Sequence, residues 1–355
     1  MEAALVVDHT RVWQAAEAYG PTLFGGLPRF YEKAYEALHA GHLRADGAER
    51  AAWDRTVELG VARSRLVQAR RRVPSDLDEE WRRVGEPFFR RARDLFGGRV
   101  RRATSGGAAL PGEVAEYLDA LGITVLGAYG LTEHLCVAMN RPDAYRFDTA
   151  GPAMPGTELR IAADGEVLVR RGDLSFAGYH GRPEETRGAF TADGWLLTGD
   201  LGALLEDGSL RVTGRKKELI ALSTGKKVAP LPIEAALAQD PWIGQAMLYG
   251  EGRKFVSALI SLRPAMLRRW RNGDADAPAA EGVLRHPDLL DVVQGAVDRV
   301  NARLSRTEQI RRFVVIGREL TAEDGELTPT LKLRRAVVAE KFRDELDALY
   351  QVGNA

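Results

Sequence analysis

Residues 100–133, VRRATSGGAALPGEVAEYLDALGITVLGAYGLTE, decide the fold class. The run 100–104 has the make-up of a short strand, and 123–126 repeats it. Between them, 113–121 carries apolar residues at helical spacing. A strand, a helix and a second strand in such close succession predict a parallel unit and an α/β chain. Each strand runs into a turn, Ser105-Gly106-Gly107-Ala108-Ala109 after the first and residues 128–133 after the second. Open α/β sheets bind ligands at the carboxyl ends of their strands. Paired glycines let a backbone approach a flat ligand closely, although an ordinary strand-to-helix turn reads the same way. The second turn offers a ring that can stack on a base, a hydroxyl for a phosphate oxygen and a carboxylate for Mg²⁺. Taken alone, Tyr129 and Thr132 are ordinary strand-end residues and Glu133 an ordinary helix cap. Neither turn has the Gly-Lys-Ser/Thr ending of a Walker loop.

Upstream, residues 1–100 read as mainly helical. Pro28 opens a helix with Phe30, Tyr31, Ala34, Tyr35 and Leu38 at helical spacing. Residues 48–72 predict one amphipathic helix ended by Pro74, with a further helix over 76–97. The basic stretch 61–72 reads as a solvated face, with anionic lipid or a phosphate as the alternative partner. Downstream, short strands at 159–161, 167–169 and 210–212 lie among Asp-Gly turns, which suits antiparallel hairpins or a small barrel. After Gly214 the pattern is mixed. It comprises a helix at 231–239, strands at 245–250 and 255–262, helices at 264–272 and 287–305, and a strand at 312–316. Residues 273–278 form the most linker-like piece.

The chain has 355 residues, with 50 Lys plus Arg against 50 Asp plus Glu. The length suggests two or three domains, and zero net charge argues against a nucleic-acid partner. A single cysteine, Cys136, excludes a disulfide framework and a thiolate metal cluster. No apolar run is long enough to span a bilayer. The first residues, Met-Glu-Ala-Ala-Leu-Val-Val-Asp-His, lack the form of a signal peptide. A cytoplasmic protein is therefore expected, with peripheral contact at the inner face of the membrane left open. The basic residues divide into 42 Arg and 8 Lys. A lysine kept against that bias is a candidate for a required point charge, and Lys216, Lys217, Lys226, Lys227 and Lys332 stand out.

Three further segments carry candidate chemistry. Trp195-Leu196-Leu197-Thr198-Gly199-Asp200 sets a carboxylate after a short apolar strand, able to accept ribose hydroxyls or to serve as a turn residue. Gly214-Arg215-Lys216-Lys217-Glu218 concentrates charge behind another strand. Leu327-Thr328-Pro329-Thr330-Leu331-Lys332-Leu333-Arg334-Arg335 is a proline-stiffened loop entering a helix. Its lysine is either desolvated for an anion or snorkelling from a surface.

The order of these segments resembles the adenylate-forming superfamily of AMP-dependent synthetases and ligases, and within it the long-chain fatty acid–CoA ligases. The resemblance rests on Tyr-Gly-Leu-Thr-Glu at 129–133, Gly178-Tyr179, Thr198-Gly199-Asp200, Gly214-Arg215-Lys216-Lys217, Ser223-Thr224-Gly225-Lys226-Lys227 and Thr328-Pro329-Thr330-Leu331-Lys332. Leu27-Pro28-Arg29-Phe30-Tyr31-Glu32-Lys33 and Gly250-Glu251-Gly252-Arg253-Lys254 extend it over most of the chain. It implies a reaction in which a fatty acid attacks the α-phosphorus of ATP and coenzyme A then displaces AMP. It also implies that Ser105, Gly106, Gly107 and Ala108 line the adenine and that Tyr129 stacks on it, with Gly130 in the same nucleotide-binding segment. Thr132 would hold phosphate, Glu133 Mg²⁺, and Asp200 with Arg215 the ribose. Lys332 would bridge carboxylate and α-phosphate, Gly225 would pass pantetheine, and a hinge would fall near Lys217.

The family's Ser/Thr/Gly-rich phosphate loop, ending Pro-Lys-Gly, lies well upstream of the Pro-Arg-Phe segment. Only 27 residues precede Pro28 here, and that loop is not among them. The resemblance thus implies a large AMP-binding domain lacking its N-terminal part over 1–213. That domain would hold a parallel sheet unit and a small antiparallel barrel, and an α+β C-terminal domain would follow over 214–355. Three readings stay open: an active ligase, alone or completed by a separately encoded N-terminal half, a non-catalytic binder of AMP, acyl-AMP or CoA, and a truncated product with no function of its own. Uncovered strand edges and core surface predict self-association. His134 reads as a partly buried structural residue or as a ligand contact.

Overall fold

The computed structural model describes residues 3–6, 8, 11–271, 282–328 and 332–351. The linker-like stretch at 273–278 and Pro329-Thr330-Leu331 of the C-terminal loop lie outside these. Contacts divide the chain into two units, Met1–Thr198 with Gly202–Val212, and Gly199–Leu201 with Thr213–Ala355.

The first unit begins with α1 (Val12–Tyr19), β1 (Leu23–Gly26), α2 (Pro28–Arg44), α3 (Gly47–Gln68) and α4 (Ser75–Leu95). It continues with β2 (Arg102–Ser105), α5 (Gly112–Ala120), β3 (Val125–Leu131) and β4 (His134–Met139). The expected strand–helix–strand unit is β2–α5–β3, with β2 and β3 parallel and Ser105 opposite Gly127. The α/β reading therefore holds. The mainly helical reading of 1–100 missed β1, which pairs in parallel with β2 and places Gly26 opposite Ser105. Only Phe24 of its four residues favours a strand, and the two glycines disfavour one, so the run is too short to signal it.

The helices cover this sheet through a core that includes Tyr31, Trp53, Phe88, Phe96 and Leu118. Helix α4 buries Trp81, Gly85, Phe88, Phe89 and Ala92, a helical stripe, and carries Asp76 and Asp78 in its first turn where the helix dipole favours them. Gly60 lets α3 meet α5: a Cβ there would stand 2.5 Å from the Ala120 Cα. Helix α3 stops before the predicted end at Pro74. Arg70 adopts a left-handed φ of 54°. Its N–H donates to the Val67 carbonyl at 2.9 Å and that of Arg71 to Leu66 at 2.8 Å. This is a Schellman cap with arginine where glycine is usual. The basic face is also not simply solvated. Within 61–72, Arg63 binds Asp78 at 2.8 Å, Arg65 reaches Glu116 at 3.4 Å and Arg70 binds Asp207 at 3.0 Å, so these three arginines of the stretch are paired within the fold.

The Gly-punctuated stretch forms β5 (Leu159–Ile161), β6 (Glu166–Arg170), α6 (Pro183–Gly188), β7 (Trp195–Leu204) and β8 (Leu210–Arg215). The four strands lie in that order in one sheet, with β5 and β6 antiparallel.

The second unit holds β9 (Ile220–Ala221), β10 (Lys227–Val228), α7 (Pro230–Leu237), β11 (Ile243–Tyr249), β12 (Val256–Leu262) and α8 (Pro264–Arg271). Then come β13 (Val283–Leu284), α9 (Pro287–Asn301), β14 (Ile310–Ile316), α10 (Arg335–Lys341) and α11 (Arg343–Gln351). Its main sheet has the order β11-β12-β14-β13. Every residue of β12 is buried, as a central strand covered on both faces requires. Val256, Ala258, Ile260 and Leu262 pack with Ile233, Leu237, Leu289 and Val293 of α7 and α9. Leu259 faces the other way, with Met247 and Val314, toward Val338 of α10, Leu346 of α11 and Phe342 between them. Burial of each large side chain contributes about 1.5–3 kcal/mol. Among the described residues no helix is long and apolar enough to cross a membrane.

Candidate functional site

The carboxyl ends of the parallel strands converge in the first unit. Gly26, Ser105 and Gly127 stand side by side in register, and the Gly106 N–H donates to the Gly26 carbonyl at 3.3 Å. The turn after β2 therefore runs beside β3, where a Cβ on Gly106 would lie 3.5 Å from the Ala128 carbonyl oxygen. Gly107 has φ +82°, a left-handed conformation that favours glycine. Ser105 is 3% exposed, and its hydroxyl lacks a hydrogen-bond partner among the described residues. A buried hydroxyl left so is costly unless a ligand satisfies it. Ala108 continues the turn toward α5.

The segment 128–133 differs from its reading as a turn. Tyr129, Gly130 and Leu131 belong to β3, and only Thr132 and Glu133 form the turn into β4, with Leu131 opposite His134. The antiparallel pairing extends the strand past the residues whose composition suggested a loop. Tyr129 is half-buried against Val137, Val169 and Leu196. Gly130 has a packing reason of its own, since a Cβ there would meet the Leu135 carbonyl oxygen at 2.3 Å. Thr132 is exposed. The Tyr179 hydroxyl donates to Glu133 Oε1 at 2.5 Å, and this bond to the carboxylate pushes the phenol up to about 12. Among the described residues no group of three or more His, Cys, Asp or Glu gathers as a metal cage. A lone carboxylate fits Mg²⁺, which is commonly held by one or two carboxylates with water and substrate phosphates. His134 is 1% exposed. Its ring nitrogens lie 3.1 Å from Ser175 Oγ and 3.2 Å from Thr157 Oγ1, and burial lowers its pKa. The two hydroxyls hold the buried ring between β4 and the loops that carry Thr157 and Ser175.

In the second unit, Asp200 is 6% exposed and sits within β7, not in a turn. Arg215, the last residue of β8, donates from Nε to Asp200 Oδ1 at 2.7 Å. The structure thus brings together the two residues expected at the ribose. Lys217 lies in a 3₁₀ turn, Lys216–Glu218, directly after β8. Gly225 turns the chain between β9 and β10 with φ +79°, and a Cβ there would meet nothing within 4 Å. Its glycine answers to the backbone turn within this unit. Lys332 is exposed and stands in another loop. Its N–H donates to Thr328 Oγ1 at 2.9 Å, the Thr328 N–H donates to its carbonyl at 2.8 Å, and Leu327 bridges to Leu333.

Two anchors of this region escaped the sequence reading. Arg335 forks onto Glu234 at 2.6 and 2.5 Å and lies 3.8 Å from Glu218. Glu326 is fully buried among Arg318 and Lys341. Tyr179 entered only as part of a motif, with no partner. No spacing rule links such distant positions; the one available signal was an acidic residue directly ahead of the lysine loop.

Comparison with known proteins follows the same lines. Residues 2–180 match the family model of the AMP-binding enzyme, and residues 217–354 match that of the AMP-binding enzyme C-terminal domain. A long-chain-fatty-acid–CoA ligase of Mycobacterium bovis is 38% identical over 343 residues, covering 94% of this chain and 55% of that protein. A long-chain-fatty-acid–CoA ligase of Gallus gallus is 30% identical over 362 residues, covering 94% of this chain and 47% of that protein. Among solved structures, the adenylation domain of a carboxylate reductase from Mycobacterium chelonae aligns with a TM-score of 0.65 at 25% identity, over 98% of this chain and 49% of that one. The A domain of a carboxylic acid reductase from Segniliparus rugosus gives a TM-score of 0.66 at 22% identity, over 98% of this chain and 50% of that one. The chain spans about half the length of the curated relatives it matches. By these matches it belongs to the AMP-binding enzyme family of the adenylate-forming superfamily, and the curated relatives to which it is similar are fatty acid–CoA ligases.

Proposed function

We propose that this chain carries the AMP-handling and acyl-transfer parts of a long-chain fatty acid–CoA ligase. The observation that carries the reading is the buried, unpartnered Ser105 hydroxyl beside Gly107 at the carboxyl end of the parallel strands, on the β2 side of the strand that leads to Thr132 and Glu133. Ser105, Gly106, Gly107 and Ala108 would receive adenine, with Tyr129 and Gly130 alongside. Thr132 would bind a phosphate oxygen. Asp200 and Arg215, already oriented by their mutual bond, would take the ribose hydroxyls. Glu133 would hold Mg²⁺, which when bound neutralises phosphate charge. Lys332 would set its ammonium against the carboxylate and α-phosphate oxygens as pyrophosphate leaves. Gly225 would lie along the path of coenzyme A, and a hinge near Lys217 would let the C-terminal domain from 214 onward serve the two half-reactions in turn. The large domain would end at 213.

A protein partner belongs to the same reading. Strand β1 ends its sheet, and Leu23 on it is 54% exposed. A complementing polypeptide, or a second copy of this chain, would cover that edge.

Lys332→Ala separates a ligase from a non-catalytic binder. Pyrophosphate release should fall by about 100- to 1000-fold, as when one oxyanion donor is lost. Thioester formation from synthetic acyl-AMP should persist. Equal loss of both steps, or loss of neither, would overturn the assignment of Lys332.

A further inference from the structure

We infer that Glu326 is a positioning residue for Lys332, a role that rests on the function proposed above. The carboxylate is fully buried and saturated. Arg318 reaches it with both terminal nitrogens at 2.8 and 2.5 Å, Lys341 Nζ at 2.9 Å, and the Thr321 N–H at 3.0 Å. Burial alone would raise its pKa, but these donors overcome it and hold the carboxyl down at about 2. Asp324 is the other acid at this cluster, 3.6 Å from Arg318 and 3.9 Å from Lys341.

The cluster sits at the base of the lysine loop. Arg318 follows the end of β14 and Lys341 is the last residue of α10, so the side chain of Glu326 ties its segment to the ends of two rigid elements. Its carbonyl accepts the Arg334 N–H at 2.8 Å from the opposite side of the loop, and Arg334 Nη1 donates to the Gly325 carbonyl at 3.0 Å. Next come the Leu327–Leu333 bridge and the paired bonds of Thr328 and Lys332. One residue therefore fixes both sides of the stem that presents Lys332. A flexible, exposed lysine carries much side-chain entropy. Fixing its Cα leaves only the side chain's own rotamers to be searched for the reacting oxygens.

The test is Glu326→Gln in the full chain, which keeps the shape and removes the charge. Amide hydrogen exchange at Lys332 and Arg334 should rise by about tenfold or more. The Leu248 amide, held by Glu234 at 2.6 Å elsewhere in the unit, should not change. In turnover assays kcat for pyrophosphate release should fall with KM for ATP unchanged, while thioester formation from synthetic acyl-AMP persists. If the half-buried Arg318 prevents Glu326→Gln from folding, Lys341→Met removes only one arm and should give a smaller rise at the same amides. Unchanged exchange at 332 and 334, or an equal rise throughout the unit, would overturn the inference. If Lys332→Ala abolishes adenylation and Glu326→Gln does not, positioning fails and the proposed function stands. If Lys332→Ala has no effect, the proposed function fails, and the exchange experiment still decides whether Glu326 pins the stem.

Discussion

Replacing Arg335 by Met should destabilise the second unit. Arg335 begins α10, three residues after Lys332, and its fork onto Glu234 is backed by Glu218 in the turn that carries Lys217. Methionine keeps much of the apolar stem and removes the charge. Glu234 is 7% exposed and would keep the Leu248 N–H as its donor. Breaking a buried pair from one side costs about 3–5 kcal/mol, because the remaining charge is buried without compensation. Adding Glu234→Gln removes that charge and keeps an acceptor for Leu248, so it should restore about 2 kcal/mol or more. Urea denaturation of the parent chain, Arg335→Met and the double variant at pH 7 measures this. A loss below about 1 kcal/mol for Arg335→Met, or a double variant no more stable than the single one, would refute the expectation.

Three further outcomes are expected. In a phenol titration read by ultraviolet absorbance, Tyr179 should stay protonated past the ordinary tyrosine range, titrating near 12, and Glu133→Gln should bring it back toward 10; a Tyr179→Phe difference spectrum with an ordinary midpoint would sink this. In calorimetry, AMP or a non-hydrolysable acyl-AMP analogue should bind nearly as well as ATP, because no Ser/Thr/Gly-rich loop ending Pro-Lys-Gly occurs in the chain to grip the outer phosphates; ATP more than about tenfold tighter, roughly 1.4 kcal/mol, would contradict it. The chain should self-associate through the outer edge of β1, and Leu23→Lys should reduce this in light scattering; a clean monomer before substitution would rule it out.

The sequence by itself determined what local periodicity and motif order can carry. The helical spacing in 28–38 and 76–97, the strand–helix–strand of 100–126 and the alternation of helices and strands after 214 were all legible. Each element has the length and apolar pattern its neighbours require. The ordered motifs from Tyr129 to Lys332 were enough to reach the family. The structure alone decided where several strands begin and end. Leu23–Gly26 is a strand because β2 lies beside it, and Tyr129 and Asp200 lie within strands because ladder bonds outweigh the loop-like character of the glycines around them. It also decided the fate of charges. Arg55 and Arg63 find Glu80 and Asp78 across two helices, and a 101-residue separation in the chain closes to a direct contact between Glu234 and Arg335. The anchors of the lysine loop belong to this second class. Local propensity is worth tenths of a kcal/mol per residue. A buried carboxylate such as Glu326 needs several donors at once to offset its desolvation, and only the packing of β14 and α10 around the loop brings Arg318 and Lys341 to it.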